Sequence, residues 1–326
     1  MTQTVFSCIL GHAALVARLQ SALHHGSPGH ARLFHGPEGV GKQTVALAWI
    51  QSLFCLQPVT NDQGLAGCGT CSSCIKCTTG NHPDLQRLEL LEKKSRISVD
   101  QVRELTRAMS FTPLESDRKV ALIDDAALMN ESAANALLKT LEEPPAHSVL
   151  ILITSRPGAL LPTIRSRCQQ ERFHPLAPAE MAALLQRLAP GLSPAEQSET
   201  IRLAGGSIGA ALRLADPGVL EQRHRFFRTL ESLSVGSLND LIAAAQEWSE
   251  SERFAQVPEY LETWFAERIR ASVQQGASLD IGPEQWLEGA NQLVRLAREA
   301  RIFNLNARLT LEAIFIRLAR MRGVAF

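Results

Sequence analysis

The chain has 326 residues, 45% of them hydrophobic and 20% charged, with 33 basic side chains balanced by 33 acidic ones. That length and apolar content predict two or three domains with real cores and exclude whole-chain disorder. Zero net charge excludes the global positive field of a free-standing nucleic-acid binder, and the 5% aromatic content with a single Tyr argues against stacking platforms for single strands. The longest strictly apolar run, Val45 to Ile50, is far short of the ~20 residues that cross a bilayer. No basic segment followed by an unbroken apolar stretch opens the chain, so no export signal is expected and a cytoplasmic location is.

The first half alternates in a βα manner. Ala31 to His35 reads as a short strand ending at Gly36, Thr44 to Phe54 as a helix, and Asp84 to Leu90 as a strand. Ser98 is placed to cap a helix running to about Met109. Lys119–Asp124 and Ser148–Thr154 enclose continuous apolar runs, the mark of buried parallel strands, and an Ala/Leu-rich helix from Glu131 to Leu141 lies between them, stopped by Pro144-Pro145. Gln170 to His174 suits a last strand. This alternation predicts a parallel sheet covered on both faces. After Pro175 the strand signals stop. Met181, Leu184, Leu185 and Leu188 fall on one helical face, Gly205-Gly206-Ser207 interrupts a second helical stretch, and Asp216-Pro217-Gly218 marks a boundary. Beyond it the stripes Phe226/Leu230/Leu233, Leu261/Trp264/Phe265 and Leu311/Ile314/Phe315/Leu318 read as plain helical core.

Gly36-Pro-Glu-Gly39-Val-Gly41-Lys42-Gln43 follows a strand and opens a helix, the context in which backbone N–H groups cradle a polyphosphate and Lys42 reaches its outer phosphates. The hydroxyl that normally follows the Lys and holds Mg²⁺ is replaced by Gln43. Thr44 comes one residue late, rotated by about 100° along a helix. The apolar strand ending in Asp124 and Asp125 supplies acids that would place Mg²⁺ and polarise a water. Asp125 stands where a Glu is usual, and a misplacement of about 1 Å can cost ~100-fold in rate. Both departures point away from hydrolysis and leave silent ATP binding open.

Cys55, Cys68, Cys71, Cys74 and Cys77 crowd one segment with CxxC steps, a spacing that brings thiolates onto one tetrahedral ion. With no His in the set, a closed structural zinc is favoured over a catalytic one, and spacing alone does not decide which three of the last four join Cys55. Redox-active CxxC pairs and unligated thiols are the competing readings. Arg167, in Ser166-Arg167-Cys168, reads by itself as a solvated or ion-paired side chain. Arg103 and Arg107, spaced i, i+4, read as a solvated helix face or as contacts to a DNA backbone.

Taken in order, His30-Ala-Arg-Leu-Phe34, the phosphate loop, the cysteine insertion, Asn81-His-Pro-Asp84, Ser98-Val-Asp-Gln-Val-Arg103, Asn135-Ala-Leu-Leu-Lys-Thr-Leu-Glu-Glu-Pro144 and Ser166-Arg-Cys168 resemble the clamp-loader branch of the AAA+ ATPases, as found with bacterial DNA polymerase III. The resemblance extends to about Ala215, and beyond it only length and helical character match. It implies an α/β AAA+ domain with a RecA-like parallel sheet and zinc module over residues 1–176, the four-cysteine insertion lying at about 55–80. A small helical lid follows over 177–217, and an all-α collar that oligomerises over 218–326. It assigns zinc to Cys55, Cys68, Cys71 and Cys74, leaving Cys77 spare. It assigns a nucleotide site, vestigial or silent, to Gly36, Gly39, Gly41, Lys42, Thr44, Asp124 and Asp125. Arg167 becomes an arginine finger acting in trans on ATP held by an adjacent subunit. The family's ring contains gamma or tau motor subunits, a delta subunit that opens the β sliding clamp, and a rigid stator-like member; the clamp is placed on primer-template DNA. The missing hydroxyl at Gln43, the shortened acid at Asp125, and Gly209 at the lid position where the motors carry a phosphate-sensing Arg together imply the stator rather than a motor. A stand-alone zinc-dependent nucleic-acid module is the reading from a different class, opposed by neutral charge and scarce aromatics.

Overall fold

The computed structural model describes residues 4–91, 94–233, 238–275 and 281–323. It comprises two compact units, Met1–Ala215 and Asp216–Phe326. The first is built on a five-stranded, wholly parallel sheet in the order β4-β5-β6-β1-β7, with β1 Ala31–His35, β4 Leu85–Leu88, β5 Lys119–Ile123, β6 Ser148–Thr154 and β7 Gln169–Arg172. Successive side chains alternate across a strand, and both faces are apolar here. Phe34, Val120, Leu122, Val149, Ile151 and Ile153 pack with α1 (Ala13–His24) and α2 (Lys42–Phe54). Leu33, Ala121, Ile123, Leu150 and Leu152 pack on the other face with α4 (Val99–Met109) and α5 (Glu131–Glu142).

Local chemistry sets the helix ends. The Ser98 hydroxyl accepts the Gln101 backbone N–H at 3.4 Å while the Gln101 side-chain Oε1 accepts the Ser98 N–H at 3.0 Å, a reciprocal cap that starts α4 where the sequence expects it. The Asn130 side chain accepts from Ala133 N–H at 2.8 Å and starts α5. A two-stranded hairpin, β2 (Val59–Asn61) with β3 (Gly64–Ala66), and the short α3 (Ser72–Thr78) form the cysteine insertion. The six-residue α6 (Pro162–Arg167) leads into β7. Three helices, α7 (Pro178–Leu188), α8 (Pro194–Ala204) and α9 (Ile208–Leu214), complete the unit. The helix α1, the hairpin and α6 have no counterpart among the elements expected from the sequence. The expected strand from Asp84 to Leu90 shortens to Leu85–Leu88.

The second unit is helical: α10 (Pro217–Ser232), α11 (Leu238–Trp248), α12 (Ser251–Gln275), α13 (Pro283–Ile302) and α14 (Ala307–Met321). The stripes read from the sequence form its core, with Phe226, Leu230, Leu261, Trp264, Phe265, Ile314, Phe315 and Leu318 all buried. Among the described residues no helix is long and apolar enough to cross a membrane.

One buried ion pair fastens the sheet edge. Arg32 on β1, 4% exposed, places its Nη1 2.5 Å from the Glu171 carboxylate on β7, and Arg18 of α1 reaches the same carboxylate at 3.2 Å. Burial pulls the Arg32 guanidinium below its ordinary value and Glu171 opposes that shift. The Arg32 Nε donates to the Pro28 carbonyl at 2.9 Å, and the guanidinium lies 4.9 Å from the Trp49 ring centre. Glu171→Ala leaves that cation buried without its counter-charge and is expected to cost about 3–5 kcal/mol in urea unfolding. A loss below about 1 kcal/mol would mean that water or the Pro28 carbonyl satisfies Arg32 alone.

Candidate functional site

The sheet brings the C-terminal ends of β1 and β5 together, and the loops leaving them converge on one cavity of about 590 Å³. Gly39, Gly41, Lys42, Thr44, Asp124 and Asp125 all line it, as the phosphate-loop pattern expects, and Gln43 lines it too. Gly36 stands just outside, at the turn from β1, where its carbonyl accepts from Lys42. Gly39 and Gly41 adopt left-handed φ of 71° and 99°, a region closed to most side chains. They turn the chain so that α2 starts at Lys42. The Lys42 side chain is buried and folds back, its Nζ donating to the Gly36 carbonyl at 2.9 Å and the Pro37 carbonyl at 2.5 Å. Burial lowers its pKa, opposed by Glu38, Asp124 and Asp125. Half-buried Asp124 shifts the other way. Burial raises its carboxyl, with Asp125 and Glu89 adding repulsion, although Asp124 Oδ1 accepts the Asp125 N–H at 2.9 Å.

The far wall of the cavity comes from α9. The Gly209 N–H donates to the Gly39 carbonyl at 2.9 Å. A Cβ built on Gly209 would lie 3.0 Å from the Gly39 Cα, and one on Gly39 would lie 2.3 Å from the Ser207 hydroxyl. Loop and α9 thus approach closely: a side chain at Gly209 would crowd the Gly39 backbone, and one at Gly39 would meet the Ser207 hydroxyl in a left-handed conformation that favours glycine. The rest of the wall is mainly apolar, with Leu176, Leu184, Ile208 and Leu212 among its members, and His12, Glu38, Ser155 and Arg187 are polar residues lining it. The His12 Nε2 lies 2.9 Å from the Val40 carbonyl, and its ring packs edge-on to Phe173 at 4.8 Å. These wall residues escape sequence reasoning because they lie far apart in the chain and carry no motif.

The arrangement fits a polyphosphate at the loop, where glycines, a helix start and an ammonium converge. Gln43 offers an amide where the hydroxyl that holds Mg²⁺ is usual in such a loop, and the Thr44 hydroxyl lies one residue later in the same lining.

The second constellation is the cysteine knuckle. The Sγ atoms of Cys55, Cys68, Cys71 and Cys74 all lie within 4.8 Å of one another and could hold a metal ion. Cys55 is the C-cap of α2 and Cys71 the N-cap of α3, so two helix ends carry half of the set. Cys68 accepts the Thr70 N–H at 3.4 Å and the Cys71 N–H at 3.3 Å, and Cys55 accepts the Cys68 N–H at 3.2 Å. Burial pushes the Cys68 thiol up, but donors from Thr70 and Cys71 and the neighbouring Cys55 thiol outweigh it and bring it down to about 6. Burial raises Cys55 and Cys74, and pushes Cys77 up to about 12. Cys77 stands apart from the four. A donor set of four thiols, one already acidified, fits a soft divalent ion.

Arg167 lies outside the cavity lining, at the end of α6. Its Nη2 is 2.6 Å from Glu142 and its Nη1 donates to the Thr163 carbonyl at 3.1 Å, with 36% of the side chain exposed. The Glu142 partner belongs to the Leu-Glu-Glu-Pro stretch, and no sequence pattern signals the pairing. Arg103 and Arg107 are both exposed on α4, opposite the buried Val102, Leu105 and Met109, and Arg103 lies 3.6 Å from Asp100.

A family model described as DNA polymerase III, delta subunit, matches residues 11–177. The DNA polymerase III delta-prime subunit of Pseudomonas aeruginosa is 42% identical over 226 residues, 68% of this chain and 66% of that one. The delta-prime subunit of Escherichia coli is 36% identical over 233 residues, 71% of this chain and 66% of that one. The chain belongs to the delta-prime family of DNA polymerase III clamp-loader subunits. The matched region spans just under two thirds of the length of these delta-prime relatives. The gamma/tau subunit of Mycobacterium tuberculosis is also similar, 34% identical over 237 residues, 71% of this chain but 40% of that one. The chain is thus similar to both delta-prime and gamma/tau subunits.

Two outcomes test this geometry. Gly209→Val should lower thermal stability by an amount equivalent to about 1–3 kcal/mol through overpacking against Gly39; an unchanged Tm would mean that α9 stands clear of the loop in solution. The wild-type chain and Cys77→Ser should each carry one divalent ion in native mass spectrometry, and Cys74→Ser should lose it. Retention by Cys74→Ser with loss by Cys77→Ser would exchange the roles of the two.

Proposed function

We propose that this delta-prime family member serves as the stator-like subunit of a clamp-loader ring and does not turn over ATP itself. Its partners on this reading are gamma or tau motor subunits and a delta subunit, and through them the β sliding clamp and primer-template DNA, in the cytoplasm. The observation that carries the reading is the contact of Gly209 with Gly39. At that lid position the motor family, by resemblance, carries an Arg that senses the γ-phosphate, and here a glycine packs tightly on the loop, where a Cβ would lie 3.0 Å from the Gly39 Cα. Gln43 supports the same reading, because nothing at its position holds the metal.

Arg167 is the group this subunit lends. Its guanidinium is oriented by Glu142 and Thr163 yet remains about one-third exposed, which suits delivery to a phosphate held by a neighbouring subunit. An arginine supplied in trans is worth roughly 10³–10⁵ in rate at the site it serves. The knuckle of Cys55, Cys68, Cys71 and Cys74 is read as a structural zinc site, since the fourth thiolate closes the coordination shell and leaves no open position for chemistry. Residues 1–176, 177–217 and 218–326 act on this reading as AAA+ domain, lid and oligomerising collar. Arg103 and Arg107 face the DNA path.

The isolated chain is expected to hydrolyse no ATP above buffer at saturating ATP and Mg²⁺. In the reconstituted ring, Arg167→Ala should remove the pre-steady-state ATP burst of the one interface it serves, while assembly and thermal unfolding stay unchanged, because an exposed ion pair is worth only about 0–1 kcal/mol. A robust rate from the isolated chain that Lys42→Ala abolishes would make it a motor subunit, and an undiminished burst would remove the finger.

A further inference from the structure

The knuckle is wired to a distant loop. Within α3, Ser73 sits between the cluster residues Cys71 and Cys74 and points inward. Its hydroxyl donates to the Phe54 carbonyl at 2.7 Å, so its free lone pair faces His82, whose Nε2 lies 3.0 Å away. Nε2 must then carry the proton, and His82 Nδ1 is bare and accepts the Asp84 N–H at 3.2 Å. The imidazole stacks on Phe54 at 4.3 Å with an interplanar angle of 15°.

The Asp84 carboxylate is wholly buried, and it gathers three backbone N–H groups of one loop: Leu114 at 2.7 Å, Glu115 at 2.8 Å and Ser116 at 2.9 Å. Lys119 Nζ stands 3.8 Å away. A second strut runs outside this path, where Lys76 of α3 pairs with Glu115 at 2.6 Å. The loop so pinned presents two large apolar side chains to solvent, Phe111 at 59% and Leu114 at 74% exposure.

We infer that the cysteine knuckle is the strut that positions segment 111–116, with Ser73, His82 and Asp84 as its positioning residues. The metal fixes the start of α3, α3 aims the Ser73 hydroxyl, Ser73 selects the His82 tautomer, and His82 holds the backbone of Asp84. Its buried carboxylate then closes the loop. The inference rests on the metal-site reading above only for its first link.

Hydrogen exchange on the full-length chain tests it. Stripping the metal with a chelator should speed exchange in peptides covering 114–116 roughly tenfold or more, while strand β6 stays protected. Ser73→Ala, which keeps all four cysteines, should speed the same peptides while retaining one ion per chain in native mass spectrometry. Unchanged 114–116 exchange in that variant overturns the inference. So does unchanged exchange after stripping when the 68–78 peptides have become fully labile. If the purified chain carries no ion, the zinc reading fails by itself, and Ser73→Ala still decides the relay. If stripping unfolds β6 as well, that variant again decides.

Discussion

A buried ammonium must find acceptors, and how Lys42 finds them shapes the whole nucleotide cavity. The Gly36 and Pro37 carbonyls belong to the same loop, so the Lys closes the loop on itself instead of waiting for an anion. The loop can then present Gly39 outward, and the Gly39 carbonyl is taken by the Gly209 N–H of α9. The Lys42 ammonium and the Gly39 carbonyl thus find their partners within the chain. A hydrogen bond of this kind contributes only about 0.5–1.5 kcal/mol net, but leaving its partners buried and unpaired would cost more. Loop and α9 are therefore joined by contacts of the chain itself, which suits the rigid, stator-like role proposed above.

The same economy explains which motif residues survive. Gly39 and Gly41 are required by left-handed backbone and by the approach of α9, whether or not phosphate binds. Lys42 is required as the cation that caps two carbonyls. The positions that depart from the family pattern are ones that only chemistry would require: Gln43 in place of a metal-binding hydroxyl, Asp125 a methylene short, and Gly209 without a side chain. On the proposed reading, structural demands alone would keep the rest of the phosphate-loop pattern.

Much of this was legible in the sequence, for identifiable reasons. Strand β6 and the start of α4 were read to the residue, because an unbroken apolar run and a Ser-x-x-Gln cap are local signals. The helix α1 was missed because it begins after His12 in a left-handed conformation with no side-chain cap. The hairpin was missed because three-residue strands carry no periodicity. Spacing could not choose among Cys68, Cys71, Cys74 and Cys77; the fold chooses by burying Cys77 inside the core, away from the four converging sulfurs. The partners of Arg167 and the wall of the cavity depend on residues brought together only by the tertiary fold. So does the Ser73–His82–Asp84 relay, although its last two members lie in a motif that the resemblance had marked without giving it a task.

Charge completes the argument. The 33 acidic side chains offset the 33 basic ones, and in the helical unit several arginines are engaged locally: Arg298 with Glu262, Arg295 with Glu299, Arg308 with Glu312 and Arg268 with Glu231. A guanidinium held by a carboxylate contributes little to a long-range field, and salt screens the remainder beyond about 8–10 Å. On the first unit the exposed pair Arg103 and Arg107 could neutralise two phosphates, which corresponds to a salt slope of only about −1.8. That is too shallow to retain DNA alone, so on the proposed reading the chain would meet DNA as one contributor among several.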